Sequence, residues 1–94
     1  MIMSDLERRF QEAVDKVRHA PADGAFKPSN DFKLKMYALY RQATDGDVTG
    51  RKPGMLNPVE RYKWQAWKDV EGQSREQAMA AYIAEVEAVE AQYG

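Results

Sequence analysis

The chain punctuates itself four times with residues that start helices, and these four signals constrain its fold more than any other feature. Ser4-x-x-Glu7 and Ser74-x-x-Gln77 have the form of capping boxes, in which each partner satisfies an orphan backbone donor. Ser29 or Asn30, just after Pro28, can cap a second helix, and Asn57-Pro58-x-Glu60 places an N-cap, a proline at N1 and a glutamate at N3. Apolar residues recur at helical spacing after each signal. Leu6, Phe10, Ala13, Val14 and Val17 share one face of the first segment; Ala78, Met79, Tyr82, Ile83, Val86 and Val89 share one face of the last. No segment alternates as a strand would. The spacing predicts an all-α chain of four helices, the first stopping near Arg18 or His19 and the third at Gly72.

The connections limit how these helices meet. "DGDVTGRKPGML" is a twelve-residue link with three glycines and one proline. Extended at roughly 3.3 Å per residue it reaches about 40 Å, so helices two and three need not be antiparallel neighbours. The link "EGQ" is short enough to make helices three and four an antiparallel pair. Ninety-four residues suffice for one core and not for two, which makes residues 1–94 a single domain.

Composition excludes several classes of function. Fourteen Lys plus Arg against fifteen Asp plus Glu leave a formal charge of -1, so a dedicated nucleic-acid binder is not expected. The absence of cysteine removes disulfides, thiolate metal sites and cysteine nucleophiles. The first ten residues lack the apolar run of a secretory signal and no stretch approaches the roughly 20 apolar residues of a membrane span, so a cytoplasmic location is expected.

Residues that do not fit the core carry the functional signal. On helix two, Phe32, Met36, Leu39 and Ala43 form the core stripe, with Tyr40 at its edge. Leu34, Tyr37 and Arg41, at i, i+3 and i+7, form a second stripe on nearly the opposite side. On helix three, Val59, Tyr62, Ala66, Trp67 and Val70 cluster on one side, while Trp64 projects roughly 120° away. Lys63 falls near the middle of that apolar stripe. An ammonium there either reaches an anion or snorkels into water along neighbouring rings, and spacing leaves both readings open. Arg41 and Lys63 together could hold a phosphate, Arg bidentately and Lys as a point charge, with Tyr37, Tyr40 and Tyr82 offering rings and hydroxyls. A scattered polar face remains the alternative for helix two alone.

Other candidates carry less. His19, the one histidine, closes helix one, where a cation suits the helix dipole. "DGDVTG" lacks the spaced carboxylates and closing glutamate of a calcium loop, and "GRKPG" lacks the setting and ending of a P-loop, so no metal site is expected. Glu85, Glu87 and Glu90 read as a solvated face. No nucleophile is paired with a base and no carboxylate pair is placed for acid/base work, so no enzyme is expected.

Four motifs occur in order: Tyr-x-x-Tyr-basic-Gln-Ala-Thr-x-Gly-Asp from Tyr37, Arg-x-Pro-Gly-Met-Leu from Arg51, Lys-Trp-x-Ala-Trp from Lys63 and Ala-Met-x-x-Tyr-Ile from Ala78. With them the chain resembles the acyl-CoA-binding protein family from helix one to its C-terminus. The resemblance implies a four-helix bundle in up-down-down-up order and a cytoplasmic, monomeric protein that binds medium- to long-chain acyl-CoA esters non-covalently, as an intracellular buffer and carrier without a cofactor. It implies that Tyr37 and Arg41 contact the nucleotide and its ribose phosphate with Tyr40 alongside. By the same resemblance Lys63 completes the phosphate site, Tyr82 lines the CoA site, Arg18 lies near the adenine, Leu34 lies along the acyl groove and Trp64 lies near the cleft. Val59 stands where many members carry a phosphate-holding lysine, and Lys33 and Lys35 occupy positions that are often apolar. The rival reading is a helical interaction module that docks an amphipathic partner helix on its off-core aromatics.

Overall fold

The computed structural model describes residues 4–20 and 24–93. Four helices, α1 (Asp5–Arg18), α2 (Asn30–Asp45), α3 (Pro58–Asp69) and α4 (Arg75–Tyr93), account for all regular structure among these residues. Their starts follow the cap chemistry. Ser4 Oγ accepts from Glu7 N at 3.1 Å while Ser4 N donates to Glu7 Oε1 at 3.3 Å, and Ser74 and Gln77 repeat the exchange at 3.0 and 2.8 Å. Ser29 caps α2 by accepting from Phe32 N at 3.0 Å. Asn57 is the N-cap of α3, but its side chain makes no cap bond and Pro58 alone shapes that start.

The ends depart from expectation once. α1 stops at Arg18 with His19 as C-cap, whose Nδ1 lies 2.8 Å from Asp15 O. α3 ends at Asp69, three residues before Gly72, because Val70 N and Glu71 N donate to the carbonyls of Trp67 and Lys68 in a tightened last turn. Gly72 then reverses the chain at φ +95°, a conformation open to glycine.

The core is built by three helices. Phe10, Ala13 and Val14 of α1, Met36, Leu39 and Ala43 of α2, and Ala78, Tyr82, Ile83 and Val86 of α4 form one buried cluster, rimmed by Leu6, Phe32, Tyr40, Val70, Met79 and Ala81. Phe10 is its pivot, set edge-on to Tyr82 at 5.2 Å and parallel to Tyr40 at 6.2 Å between ring centres. Val17, expected on this face, is exposed, lying one turn beyond the last buried residue of α1.

Contacts along the helices give their directions. Phe10 meets Tyr82, and Lys16, farther along α1, pairs with Glu90 farther along α4, so these two run parallel. Lys35 pairs with Glu85 near the start of α2 while Gln42 reaches Gln73 beside the start of α4, so α2 and α4 run antiparallel. Lys63 stands over Tyr37 and Arg41 over Trp67, so α2 and α3 run parallel. The order is up-down-down-up, as the long α2–α3 link permits.

Three expectations, one from link length and two from helical projection, need correction. α3 packs on α2, and among the described residues α3 and α4 do not pack against each other, although the link between them is short. That link is pinned to the end of α2, since Asp47 Oδ1 accepts from Gly72 N at 2.9 Å and Gln42 Nε2 donates to Gln73 O at 2.9 Å; the two helices leave it along different sides of α2. Because α3 has one neighbour, it buries a narrow seam. Trp67 alone is buried, Trp64 is half-buried, and Val59 and Tyr62, expected in the core, are 66% and 65% exposed. The glutamates of α4 are more than a solvated face: Glu87 pairs with Arg9 at 2.9 Å, Glu90 with Lys16 at 3.1 Å, and Glu85 with Lys35. Lys35 thereby ties α2 to α4.

Candidate ligand-binding site

The seven expected residues gather along α2 in two groups. The first lies at the seam with α3. Leu34, Tyr37 and Arg41 recur on one line of α2 and are half-buried, and α3 meets this line at Tyr37 and Arg41. Lys63 Nζ lies 4.7 Å from the centre of the Tyr37 ring and the Arg41 guanidinium carbon 4.5 Å from the centre of the Trp67 ring. Each cation of one helix thus sits on an aromatic of the other, one turn apart, and both parallel helices advance together by four residues. A cation over a ring is held by the ring's quadrupole without being neutralised.

Neutralisation at the seam is partial. Arg41 Nη1 pairs with Asp45 Oδ2 at 3.0 Å within α2, and Arg41 Nε is buried with no protein acceptor. Lys63 Nζ lies 3.7 Å from Glu60 Oε1, near the outer limit of an ion pair, and its side chain keeps 35% of its exposure. Trp64 Nε1 is also buried without a protein acceptor. Arg41 and Lys63 are therefore not on remote surfaces: both belong to one α2–α3 seam, where each cation has one carboxylate neighbour and Arg41 Nε keeps an unused donor.

The second group joins α1, α2 and α4. Arg18 Nη2, at the end of α1, donates to Tyr40 Oη at 3.2 Å, and its guanidinium carbon stands 5.8 Å from the Tyr40 ring centre. Tyr82, buried against Phe10, completes the group. Burial pushes its phenol above the ordinary tyrosine range; the Arg18 charge works against that and Tyr40 with it. Tyr82 is consequently a neutral hydroxyl at physiological pH, able to donate a hydrogen bond. No hydrogen bond, ion pair or ring contact joins the two groups among the described residues; Tyr40 and Arg41, adjacent in the chain, connect them.

Gln42, between these groups and wholly buried, was invisible to a periodicity argument because its side chain is polar. Its Nε2 donates to Asp47 Oδ1 at 2.7 Å and to Gln73 O at 2.9 Å, and Trp67 Nε1 donates to Gly46 O at 2.8 Å. This network holds the ends of α2 and α3 together and so sets the spacing of the cations upstream. Gly46, at φ +83°, turns its carbonyl towards Trp67 as the C-cap of α2. The counterions Asp45 and Glu60 were readable from their i,i+4 and i,i+3 spacings to Arg41 and Lys63.

The sequence pattern of the family described as acyl CoA binding protein matches residues 7–86, most of the chain. The chain belongs to the acyl-CoA-binding protein family. An acyl-CoA-binding protein of Gossypium hirsutum is 51% identical over 81 residues, 86% of each chain. The acyl-CoA-binding domain-containing protein 5 of Bos taurus is 42% identical over 83 residues; the match takes in 88% of this chain and only 16% of that longer protein. The chain therefore spans nearly all of one kind of relative and a small part of another. Among solved structures, the Oryza sativa acyl-CoA-binding protein 2 superimposes with a TM-score of 0.83 at 45% identity, covering 93% of this chain and 92% of that one. The family member from Moniliophthora perniciosa gives 0.80 at 34% identity, covering 99% and 97%. The all-α four-helix fold of the family is thus the fold of this chain.

Among the described residues there is no group of three or more His, Cys, Asp or Glu placed to hold a metal ion, and no helix is long and apolar enough to cross a membrane.

Proposed function

We propose that residues 1–94 form one domain that binds medium- to long-chain acyl-CoA esters non-covalently, one to one, and serves as a buffer and carrier of them. The observation that carries this reading is the α2–α3 seam, where Lys63 and Arg41 rest on Tyr37 and Trp67, the Lys63–Glu60 pair is long at 3.7 Å, and Arg41 Nε and Trp64 Nε1 are buried without a protein acceptor. A phosphate-rich head group supplies acceptors for the donors that the protein leaves unused. Arg41 offers a planar fork and Lys63 a mobile point charge, while Tyr37 and Tyr40 present rings and hydroxyls to the nucleotide. Arg18 and Tyr82 extend the polar surface towards α1 and α4. Leu34, one turn before Tyr37, lies where an acyl chain leaving the seam finds apolar contact.

The division of labour follows from magnitudes. Moving methylenes out of water gains about 0.8 kcal/mol each, so roughly six buried methylenes give about 5 kcal/mol before ordering costs are subtracted. Recognition of CoA over a free fatty acid falls to the cations and hydroxyls. Val59, exposed at the start of α3, contributes no charge, which leaves Lys63 as the cation of α3 at the seam. We assign the protein no catalysis, no cofactor and no nucleic-acid partner, and expect a cytoplasmic monomer. A partner helix docking on the seam is disfavoured, because two cations would have to be buried against its apolar face.

Calorimetry with CoA, a long-chain acyl-CoA and the matching fatty acid tests the reading. Acyl-CoA should bind more tightly than CoA and the free acid poorly. Equal affinity for CoA and its ester would falsify it.

A further inference from the structure

Both cations of the seam are engaged from within their own helix. Arg41 Nη1 pairs with Asp45 one turn along α2, and Lys63 Nζ pairs with Glu60 one turn back along α3. Arg18, the cation of the second group, has no carboxylate partner among the described residues; its guanidinium donates to the Tyr40 hydroxyl. A phosphate that approaches the seam therefore meets carboxylates already seated on the groups it has to reach.

The two carboxylates are not equivalent. Glu60 lies in the first turn of α3, where the helix dipole favours a negative charge, and it sits at the long distance of 3.7 Å from Lys63. Asp45 is the last residue of α2, whose final turn carries no basic residue, so its charge lies at the unfavourable end of that dipole. With the cation on the N-terminal side, the Arg41–Asp45 couple also has the weaker order for an i,i+4 pair. Asp47, two residues on, differs in kind: it ties Gly72 and Gln42 together and belongs to the fold. Among the described residues Arg41 is the one partner of Asp45, whose side chain is 44% exposed. A carboxylate so placed adds little to folding stability, and its effect falls on Arg41.

We propose that Asp45 limits the affinity of the seam: it engages the Arg41 guanidinium and must yield it to a phosphate of the ligand. The guanidinium lies over Trp67 at 4.5 Å with Nε buried, so the exposed carboxylate is the partner that gives way. A phosphate bound there lies beside the displaced carboxylate, and the two anions repel each other. Glu60 acts on Lys63 in the same sense and more weakly, because its pair is longer. Such a restraint suits a carrier, which has to release its ester as well as hold it. The role presupposes that the seam holds the phosphates of acyl-CoA, as proposed above.

Titration calorimetry of Asp45→Asn with a long-chain acyl-CoA, beside thermal unfolding of the same variant, tests this role. Affinity should rise by roughly three- to tenfold at low ionic strength, the gain should shrink as salt is added, and Tm should stay level or rise slightly. Glu60→Gln should raise affinity by about twofold. Glu12→Gln removes the same charge from the α1–α4 side of the bundle, in the hollow that Glu12 shares with Glu87 and Glu90, and should leave affinity as it is. A lower Tm with unchanged or weaker binding by Asp45→Asn would make Asp45 a structural counterion and overturn the proposal. So would an equal gain from Glu12→Gln, since net charge alone would then account for the effect. A parent protein that binds no acyl-CoA would refute the carrier reading and this role with it. A parent that binds the ester while Asp45→Asn binds it no tighter would refute the role of Asp45 and leave the carrier reading standing.

Discussion

Lys63 of α3 stands 4.7 Å over the ring of Tyr37 on α2, and one turn farther along both helices Arg41 of α2 stands 4.5 Å over Trp67 of α3. The exchange is reciprocal: each helix lends the other one cation and one ring. This is possible only because the two helices run in the same direction, so that four residues along one match four along the other. The arrangement fixes two positive charges at a half-buried seam while leaving neither fully paired.

Lys63→Ala should weaken acyl-CoA binding by about 1.5–3 kcal/mol, the usual worth of a hydrogen bond to a charged group. Its pairing to Glu60 is long, so little folding stability goes with it. Titration calorimetry of the variant beside Lys68→Ala provides the control, since Lys68 pairs with exposed Glu71 away from the seam cations and should have no effect.

Arg41→Lys keeps the charge and loses the planar stack on Trp67 and the geometry of the pair with Asp45. A cation over a ring contributes about 0.5–2 kcal/mol depending on desolvation. Weaker ligand binding is expected together with a small fall in Tm, whereas Lys63→Arg should preserve most of the affinity. Identical affinities for Arg41→Lys and the parent would show that charge alone matters at this position.

Gln42→Ala should destabilise the fold by about 1–3 kcal/mol, because it leaves the Gln73 carbonyl without this donor and Asp47 with the Gly72 N–H in place of two donors. Trp67→Phe removes the bond to Gly46, worth about 1 kcal/mol, and also shrinks the buried ring beneath Arg41. Denaturant unfolding of both variants checks the order of these losses, and Gln42→Ala is expected to be the larger.

Asp47 makes stability depend on acid. Its carboxyl is held below the ordinary aspartate range, first by the backbone N–H of Gly72 and then by the Gln42 amide. A folded-state pKa lower than the unfolded one means that the contribution is complete above the unfolded pKa and is lost as the pH falls through the folded value. The stability gap between the parent and Asp47→Ala should therefore be widest near neutrality and narrow on acidification below the ordinary aspartate range. A gap independent of pH in thermal melts would show that the carboxylate charge is not what Gly72 and Gln42 recognise.

Much of this protein could be read before any coordinates. Cap chemistry is local, acting over three or four residues, so Ser4, Ser29, Asn57 and Ser74 mark the helix starts correctly. Strong single-face periodicity gave the core residues of α1 and α4 apart from Val17, which is exposed, and Val89, which is half-buried outside the core cluster, and the ordered motifs identified the family. The narrow failures share a cause. Val59 and Tyr62 fit an apolar stripe on α3, yet they are exposed because the stripe is wider than the one helix that α3 meets. Gln42 lies at a core position where its amide nitrogen is satisfied by Asp47 and Gln73, residues distant in sequence or in a link without periodicity, while its Oε1 is buried without a partner.

What the amino-acid order determined by itself was therefore the set of helices, most of the buried faces and the candidate cations, since caps, spacing and charge are properties of neighbours along a chain. What only tertiary structure decided was which helices touch, and hence which residues meet. Tyr37 receives Lys63, and Trp67 receives Arg41, because the α3–α4 link is tied to Gln42 and Asp47 and both α3 and α4 are drawn onto α2. Contacts between residues far apart in sequence depend on the directions in which rigid helices leave their links, and no pattern within a single helix carries that information.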